Sequence, residues 1–224
     1  MSRLIGRLVM GAVACLMHDM TSAALIFSQY VETNSGSNPK GIEVWNSGSS
    51  AVDFTTQNLQ IGQGTNGAAL APITATLVDT GVLDAGDVLV IGTSDIGTYL
   101  TGQGLGDVRY VSYGFSFNGN DSLGLYLGGN LVDVFGDPGN DPGSGWSGNG
   151  VSTANQNIGL RDGITTGDIA GWTNPSIRFE TLSTTPASLP GGLVDFGIAP
   201  VPEPSLLGLS GLAVAIALRQ LRRR

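Results

Sequence analysis

The chain has almost no histidine, cysteine or methionine, and the few that occur lie within its first 20 residues. The only histidine is His18, and the only cysteine is Cys15. The rest of the chain therefore lacks an imidazole base, a thiol nucleophile and a disulfide. It also lacks the side chains on which zinc and copper sites rely. Only oxygen-ligand chemistry is left, which means calcium binding or acid–base work by carboxylates.

Basic side chains are scarce as well between residues 25 and 200. This part contains sixteen acidic side chains, so its net charge is −12. It contains only four basic side chains: Lys40, Arg109, Arg161 and Arg178. A field of that sign repels nucleic acid and anionic lipid, and we expect no nucleic-acid partner. Acidity of this kind also keeps a secreted domain soluble, and we take that as its main role.

No continuous amphipathic helix is indicated between residues 25 and 185. Charged residues make up 12% of the chain, and glycine contributes 35 of 224 residues. The charged fraction is about half the average for globular proteins, and the glycine content is about twice the average. Short strands joined by Gly, Asn, Asp and Ser turns produce such a composition. The sequence therefore predicts an all-β domain.

The stretch 117–146 organises this prediction. Leucines alternate with other residues from 123 to 127, which is typical of a half-buried strand, and residues 128–130 favour a tight reversal. A second strand follows, in which the valines are expected to face the core, and then an acidic Gly/Pro loop at 137–143. Four side chains of this hairpin are predicted to be buried: Leu123, Leu125, Val132 and Val134.

The same alternation predicts strands elsewhere. In 41–46 we expect Ile42 and Val44 to point inward and Glu43 and Trp45 to lie on the other face. The apolar run 88–92 favours a strand buried on both faces, and 94–100 favours a short helix. The sequence also predicts three further strands, at 25–32, 59–62 and 74–78. It indicates an insertion with little pattern at 63–72 and a linker at 186–200.

Several of these stretches resemble the lamin-tail-like domain, an immunoglobulin-like β-sandwich of nuclear lamins and many secreted bacterial proteins. The resemblance rests on FSQYVE, GIEVWN and AVDF near the start, on DAGDVLVIG, on the central hairpin and on NIGLR at 157–161. It spans residues 25–185 and implies an all-β, immunoglobulin-like β-sandwich.

Residues 1–24 are typical of a secretory signal peptide. Arg3 and Arg7 precede an apolar run of ten residues at 8–17, and small residues at Ala23 and Ala24 supply the cleavage site. The apolar run is too short to span a membrane as a helix, which takes about 20 residues. The protein is therefore predicted to be exported and cut after Ala24.

The last residues, 201–224, resemble the PEP-CTERM sorting signal. A Pro-Glu-Pro triplet precedes thirteen uncharged residues at 206–218, which we expect to form a short hydrophobic helix, and arginines follow. The resemblance implies processing by exosortase, a membrane protease of Gram-negative bacteria that make exopolysaccharide. It also implies a transient stage in the inner membrane and then the cell surface or extracellular matrix. The sorting residues are Pro202, Glu203, Pro204, Arg219, Arg222, Arg223 and Arg224.

Three groups of residues are candidates for binding or chemistry. The exit loop offers hard oxygen ligands for calcium, three glutamates could supply an acid–base pair, and three tryptophans could stack on sugars or fill the core. We favour the core for the tryptophans. The residues are Asp137, Asn140 and Asp141 for calcium, Glu32, Glu43 and Glu180 for the carboxylate pair, and Trp45, Trp146 and Trp172.

The sequence thus favours a structural or adhesive protein that has no catalytic residue, cofactor or resident metal. Its expected partners are exosortase and extracellular polysaccharide. Two alternatives stay open, a calcium-dependent carbohydrate-binding module and a glycan hydrolase that uses carboxylates alone.

Overall fold

The computed structural model describes residues 24–33, 38–72 and 77–200. This part is predominantly β, as predicted, with one α-helix, α1 (Ser94–Gly102), and two 3-10 turns, Thr65–Gly67 and Pro175–Ile177. The strands in chain order are β1 (Leu25–Val31), β2 (Gly41–Asn46), β3 (Val52–Asp53), β4 (Leu59–Gly64), β5 (Ala71–Pro72), β6 (Val82–Leu83), β7 (Val88–Gly92), β8 (Arg109–Ser112), β9 (Ser122–Leu127), β10 (Asn130–Phe135), β11 (Ser147–Gly148), β12 (Val151–Ser152), β13 (Asn157–Leu160) and β14 (Phe179–Ser183).

Two main sheets are formed. The first has six strands in the order β14, β13, β1, β2, β7 and β8, and the second has four in the order β10, β9, β4 and β5. Neighbouring strands are antiparallel except β7 and β8, which run parallel. The connection through α1 returns the chain to the end of the sheet at which β7 begins, so β8 runs in the same direction as β7. Two small pairs, β3 with β6 and β11 with β12, flank them.

Aromatic side chains fill the space where the two sheets pack together. The ring of Tyr30 on β1 stacks on Phe117 with centroids 5.0 Å apart and on Phe135 of β10 with centroids 4.4 Å apart. Phe135 also meets Trp172 edge-on at 4.9 Å. Large apolar rings of this kind bury much area and favour fixed geometries, so they set the spacing of the sheets.

The central hairpin has the predicted strands, but its second strand faces the other way. Leu123 and Leu125 are buried as predicted. The register of β10 shifts between Leu131 and Asp133, which is a β-bulge, so Asp133 pairs with Leu125. Asp133 is therefore buried, whereas Val132 is only partly buried and the prediction that it fills the core is wrong. Val134 is buried as predicted, but it does not belong to the apolar cluster between the sheets, to which Phe135 contributes instead.

Strand β2 is buried on both faces. The alternation placed Glu43 on the face away from the core but did not predict that this face is buried as well. Ile42 and Val44 belong to the core between the sheets, and Trp45 is buried too. The Glu43 carboxylate lies on the opposite face and is fully buried. Strand β7 is buried throughout, as predicted, and the predicted helix forms as α1.

Helix α1 covers the outer face of the six-stranded sheet, which is the face that carries Glu43. A Cβ atom at Gly41 would lie 2.5 Å from Cδ1 of Ile96, and a Cβ atom at Gly92 would lie 2.7 Å from the same atom. Glycine at both positions lets the helix approach the sheet this closely.

The segment 186–200, predicted to be a linker, is packed onto the same outer face instead. Leu193 is 3% exposed and Phe196 is 0% exposed, and both join an apolar cluster with Val90 of β7. The brief apolar run that the sequence shows at 193–196 is therefore a docking segment rather than part of a flexible connection.

The insertion 63–72, in which the sequence shows little pattern, contains the end of β4, the turn Thr65–Gly67 and the edge strand β5. Most of the strand predicted at 74–78 lies outside the described residues, and Val78 forms only an isolated bridge with Leu59.

Candidate functional site

The loops at one end of the four-stranded sheet are tied together through Asp121. This carboxylate is 1% exposed and accepts hydrogen bonds from the amide of Asn66 (2.8 Å), the amide of Asn118 (3.0 Å) and Nε2 of Gln63 (3.1 Å). Three donors satisfy most of the acceptor capacity of a carboxylate. Asp121 therefore fixes the loop that precedes the central hairpin.

The exit loop 137–143, the predicted calcium loop, is held by similar internal bonds. Oδ1 of Asp141 accepts from Nδ2 of Asn120 (2.9 Å) and from the amide of Gly143 (2.8 Å), and these bonds lower the pKa of Asp141 below its usual value. Oδ2 of Asp137 is 3.4 Å from Nδ2 of Asn140. Asp141 is exposed, whereas Asp137 is half-buried.

These bonds give the loop carboxylates a local structural role. Within 24–33, 38–72 and 77–200, no group of three or more His, Cys, Asp or Glu side chains is placed to hold a metal ion. Calcium sites need six to eight oxygen ligands around one point. The described loop therefore offers no geometric support for the calcium interpretation.

The three candidate glutamates are not brought together around a cleft. Glu32 is fully buried, where one carboxylate oxygen lies 3.4 Å from Nζ of Lys40 and the other accepts from the amide of Asn155 at 2.9 Å. Glu43 is buried on the outer face of the sheet, and Glu180 is exposed on β14. Glu32 lies directly after β1, and Glu43 lies within β2.

The three tryptophans belong to the core, as favoured. Trp45, Trp146 and Trp172 are 3%, 2% and 4% exposed. The indole N–H of Trp45 donates to the carbonyl of Gly86 at 3.2 Å, whereas those of Trp146 and Trp172 have no partner. So little of each side chain is exposed that none of them offers a broad ring surface on which a sugar could stack.

One surface pocket lies beside Trp172, between the exit loop and the turn Pro175–Ile177. It has a volume of about 300 Å³ and is lined by Asp137, Gly171, Trp172, Thr173, Asn174 and Ile177. We call it the Trp172 pocket. Its size is at the lower end of the range for small-ligand sites, and it combines an apolar wall with a few polar groups.

The local structure of the pocket follows from short-range bonds. The amide of Trp172 donates to the carbonyl of Gly136 at 2.8 Å, which holds the pocket against the start of the exit loop. Oδ1 of Asn174 accepts from the amide of Ser176 at 3.0 Å and so caps the turn. Ile177 is left 58% exposed at the rim.

Sequence reasoning missed the pocket residues Thr173, Asn174 and Ile177 as well as the buried Asp133. A signal for Asn174 was present, because Asn followed by Pro and Ser is typical of a capped turn. No signal marked Asp133, since an acidic residue in a strand is ordinarily placed on the solvent face.

Of the predicted processing residues at both ends, Ala24 alone lies within the described part of the chain. Ala24 is described and lies directly before β1, where its carbonyl accepts a hydrogen bond from the amide of Ser47 at 2.9 Å. The following residues lie outside the described residues: Ala23, Pro202, Glu203, Pro204, Arg219, Arg222, Arg223 and Arg224. In the described ranges, no helix has the length and apolarity needed to cross a membrane.

Comparisons of the chain with protein-family models, with curated proteins and with solved structures give no match.

Proposed function

We propose that this chain is an exported protein of the cell surface or extracellular matrix with a structural or adhesive role and no catalytic activity of its own. Its N-terminus has the pattern of a signal peptide, and its C-terminus has the pattern of an exosortase substrate. The producing cell would be a Gram-negative bacterium that makes exopolysaccharide.

We propose that residues 25–185 form a lamin-tail-like domain, on the basis of the sequence resemblance. Two packed sheets with an aromatic core are compatible with an immunoglobulin-like sandwich of this type. Helix α1 overlaps residues 97–107 and the parallel strand β8 follows them, and in this stretch the sequence departs from the lamin-tail pattern. A fold of this kind supports many functions, so the role must be argued from the side chains.

The observation that favours a non-catalytic role is the use of the buried carboxylates. Glu32, Asp121 and Asp133 each accept backbone hydrogen bonds that hold loops or strands together. A glycan hydrolase needs two carboxyl groups on either side of a bound sugar. None of Glu32, Glu43 and Glu180 lines the Trp172 pocket.

The Trp172 pocket supports a second candidate function, the binding of extracellular polysaccharide. Its polar lining of Asp137, Thr173 and Asn174 can exchange hydrogen bonds with sugar hydroxyls, while Ile177 supplies an apolar wall. The strong negative charge of the domain disfavours anionic glycans and leaves neutral polysaccharides as the expected ligands.

A binding assay tests this pocket. We expect the purified full-length chain to bind neutral glycans on an array, and Thr173→Arg to weaken that binding at least about tenfold, because a long side chain would fill a pocket of this size. Thr101→Arg is the matched control, since Thr101 is exposed on α1, away from the pocket. Equal loss in both variants, or binding in neither the wild type nor the control, would rule out the pocket.

The same preparation tests calcium. We expect the melting temperature and glycan binding to be unchanged by added calcium or by EDTA, because the loop carboxylates already have partners within the protein. A ligand that binds the folded state raises its stability, so a calcium site would raise the melting temperature. Such an increase would restore the calcium-dependent module as the better interpretation.

Processing at the C-terminus gives a separate prediction. Because prolines on both sides of Glu203 favour an extended backbone, we expect the Pro-Glu-Pro triplet to enter a protease cleft. Mass spectrometry of the surface-released protein should find its C-terminus between residues 201 and 205. Recovery of protein that ends at Arg224 from the mature surface fraction would instead indicate a membrane anchor.

A further inference from the structure

The last described residues form a strap over the outer face of the six-stranded sheet. We call residues 193–198 the C-terminal strap. Leu193 and Phe196 anchor it in an apolar cluster with Val31 and Val90 of the sheet and Tyr99 of α1. Burial of two large apolar side chains gives this short segment most of its adhesion to the sheet.

Hydrogen bonds fix the strap at both ends. The amide of Val194 donates to Oδ1 of Asn157 at 2.9 Å, and Nε2 of Gln29 donates to the carbonyl of Asp195 at 2.8 Å. The amide of Gly197 donates to Oε2 of Glu43 at 2.6 Å. The last of these bonds is the only one of the three that ends on an ionisable group.

The surroundings of Glu43 suit a neutral carboxyl group. The side chain is fully buried, and its other oxygen, Oε1, lies 2.7 Å from Oγ of Ser28. A protonated carboxyl can donate from Oε1 to the Ser28 hydroxyl while Oε2 still accepts from Gly197, so every polar atom of the group is satisfied. Gly197 and Ser28 can both donate to the ionised form as well, but that form must lose its hydration.

The ionisable groups that face Glu43 do not compensate for a negative charge. The strap contributes Asp195 and α1 contributes Tyr99, and both of these groups are acids. The neighbours of Glu43 on the adjacent strands are uncharged: Ser28 and Gln29 on β1 and Val90 on β7. In the part of the chain that the structure describes, ion pairs join Lys40 to Glu32 and Arg178 to Asp133, and none involves Glu43. Burial, and to a smaller extent the charge of Asp195, raises the pKa of Glu43 to about 8.

We propose that Glu43 is a proton-dependent latch for the C-terminal strap, which is held closed over the sheet while the carboxyl is protonated and opens more readily when the carboxyl ionises. Opening exposes Glu43 on the surface of the sheet, where solvent stabilises its charge. The closed state therefore binds the proton more tightly than the open state.

This linkage fixes the direction and size of the pH effect. A group whose pKa is raised in the closed state stabilises that state fully below the open-state value, ordinarily about 4.5, and loses this effect as the pH rises to about 8. The opening equilibrium should therefore increase about tenfold per pH unit between these limits and level off above the upper one.

Amide hydrogen exchange measured by NMR on the full-length chain in detergent tests the latch. Protection factors, which are corrected for the intrinsic pH dependence of exchange, should fall about tenfold per pH unit for the Gly197 amide between pH 5 and pH 8. The amides of Ile61 and Leu125, in the other sheet, should change much less over this range.

Glu43→Gln is the decisive variant, because its amide can donate to Ser28 and accept from Gly197 at every pH. Its strap should stay protected from pH 5 to pH 8, whereas Glu180→Gln, the same change on an exposed strand residue, should behave as the wild type. Protection that is independent of pH in the wild type, or that falls equally in Glu43→Gln, would overturn the proposal.

A second measurement decides the matter if Glu43→Gln does not fold. In the wild-type chain with ¹³C-labelled glutamate carboxyls, the Glu43 signal should titrate near pH 8 together with the Gly197 amide shift. A Glu43 titration midpoint below about 6, near the ordinary range for glutamate, would overturn the latch.

Discussion

Replacing Asp133 by alanine is expected to lower the free energy of unfolding by about 3–5 kcal/mol, because it removes one partner from a buried charged network. Oδ2 of Asp133 accepts from the amide of Phe27 in the opposite sheet at 2.9 Å. Oδ1 accepts from the amide of Asp168 at 2.7 Å and lies 3.6 Å from the Arg178 guanidinium. Alanine would leave the buried Phe27 amide and the half-buried Asp168 amide without this acceptor, while the Arg178 guanidinium would keep its bond to the Thr166 carbonyl.

The position of Asp133 explains why two strand irregularities occur together. Strand β1 shifts its register between Phe27 and Gln29, and β10 shifts between Leu131 and Asp133. The second bulge turns a carboxylate toward the amide of Phe27, beside the first. Burial raises the pKa of Asp133, while the amide of Asp168 and the charge of Arg178 oppose that rise.

Urea unfolding of the wild type and the variant at pH 7 measures this effect. Asp162→Ala, which removes an exposed acidic side chain, is the control and should change the stability by no more than about 0.5 kcal/mol. A loss below about 1 kcal/mol for Asp133→Ala would show that the two sheets do not depend on this carboxylate.

Leu125→Ala is expected to lower the free energy of unfolding by about 2–5 kcal/mol, since it removes a large side chain from the core. Leu125 is 0% exposed and pairs with Ile61 on β4 and with Asp133 on β10. The cost within this range depends on how far neighbouring side chains can relax into the space that the leucine leaves.

The control for this change is Val82→Ala. Val82 is 52% exposed, so its truncation removes apolar area without creating a cavity and should cost less than about 0.5 kcal/mol. Unfolding in urea, compared at equal m-values, measures both variants. Equal effects of Leu125→Ala and Val82→Ala would mean that the hairpin does not line the core.

The central hairpin contains one strand that follows the alternation rule and one that departs from it. Alternating leucines correctly predicted which face of β9 packs into the core between the sheets, because side chains in a regular strand point to opposite faces in turn. Apart from Tyr126, the other face is buried as well. The same rule failed one strand later, where a bulge inserts an extra residue and exchanges the faces. The sequence 130–135 shows no glycine or proline that would have indicated that bulge.

The candidate site shows a similar division. The sequence placed oxygen-rich side chains on the exit loop, and the loop forms there. Only the folded chain shows that Asn120 and Gly143 already occupy one oxygen of Asp141, and that Trp172, Thr173 and Asn174 line a pocket beside Asp137. Those contacts join residues from separate loops, which no local pattern relates.

Composition and short-range alternation depend on neighbouring residues alone, so they were enough to establish the strand-rich class, the negative charge and the lack of histidine and cysteine after residue 18. The burial and the hydrogen-bond partners of individual polar side chains depend on the tertiary structure. The partners of Asp133 and Glu43 lie 106 and 154 residues away, at Phe27 and Gly197. Whether a carboxylate is buried, and what its burial does to its proton, depends on such distant partners, so only the assembled sheets and the C-terminal strap could decide it.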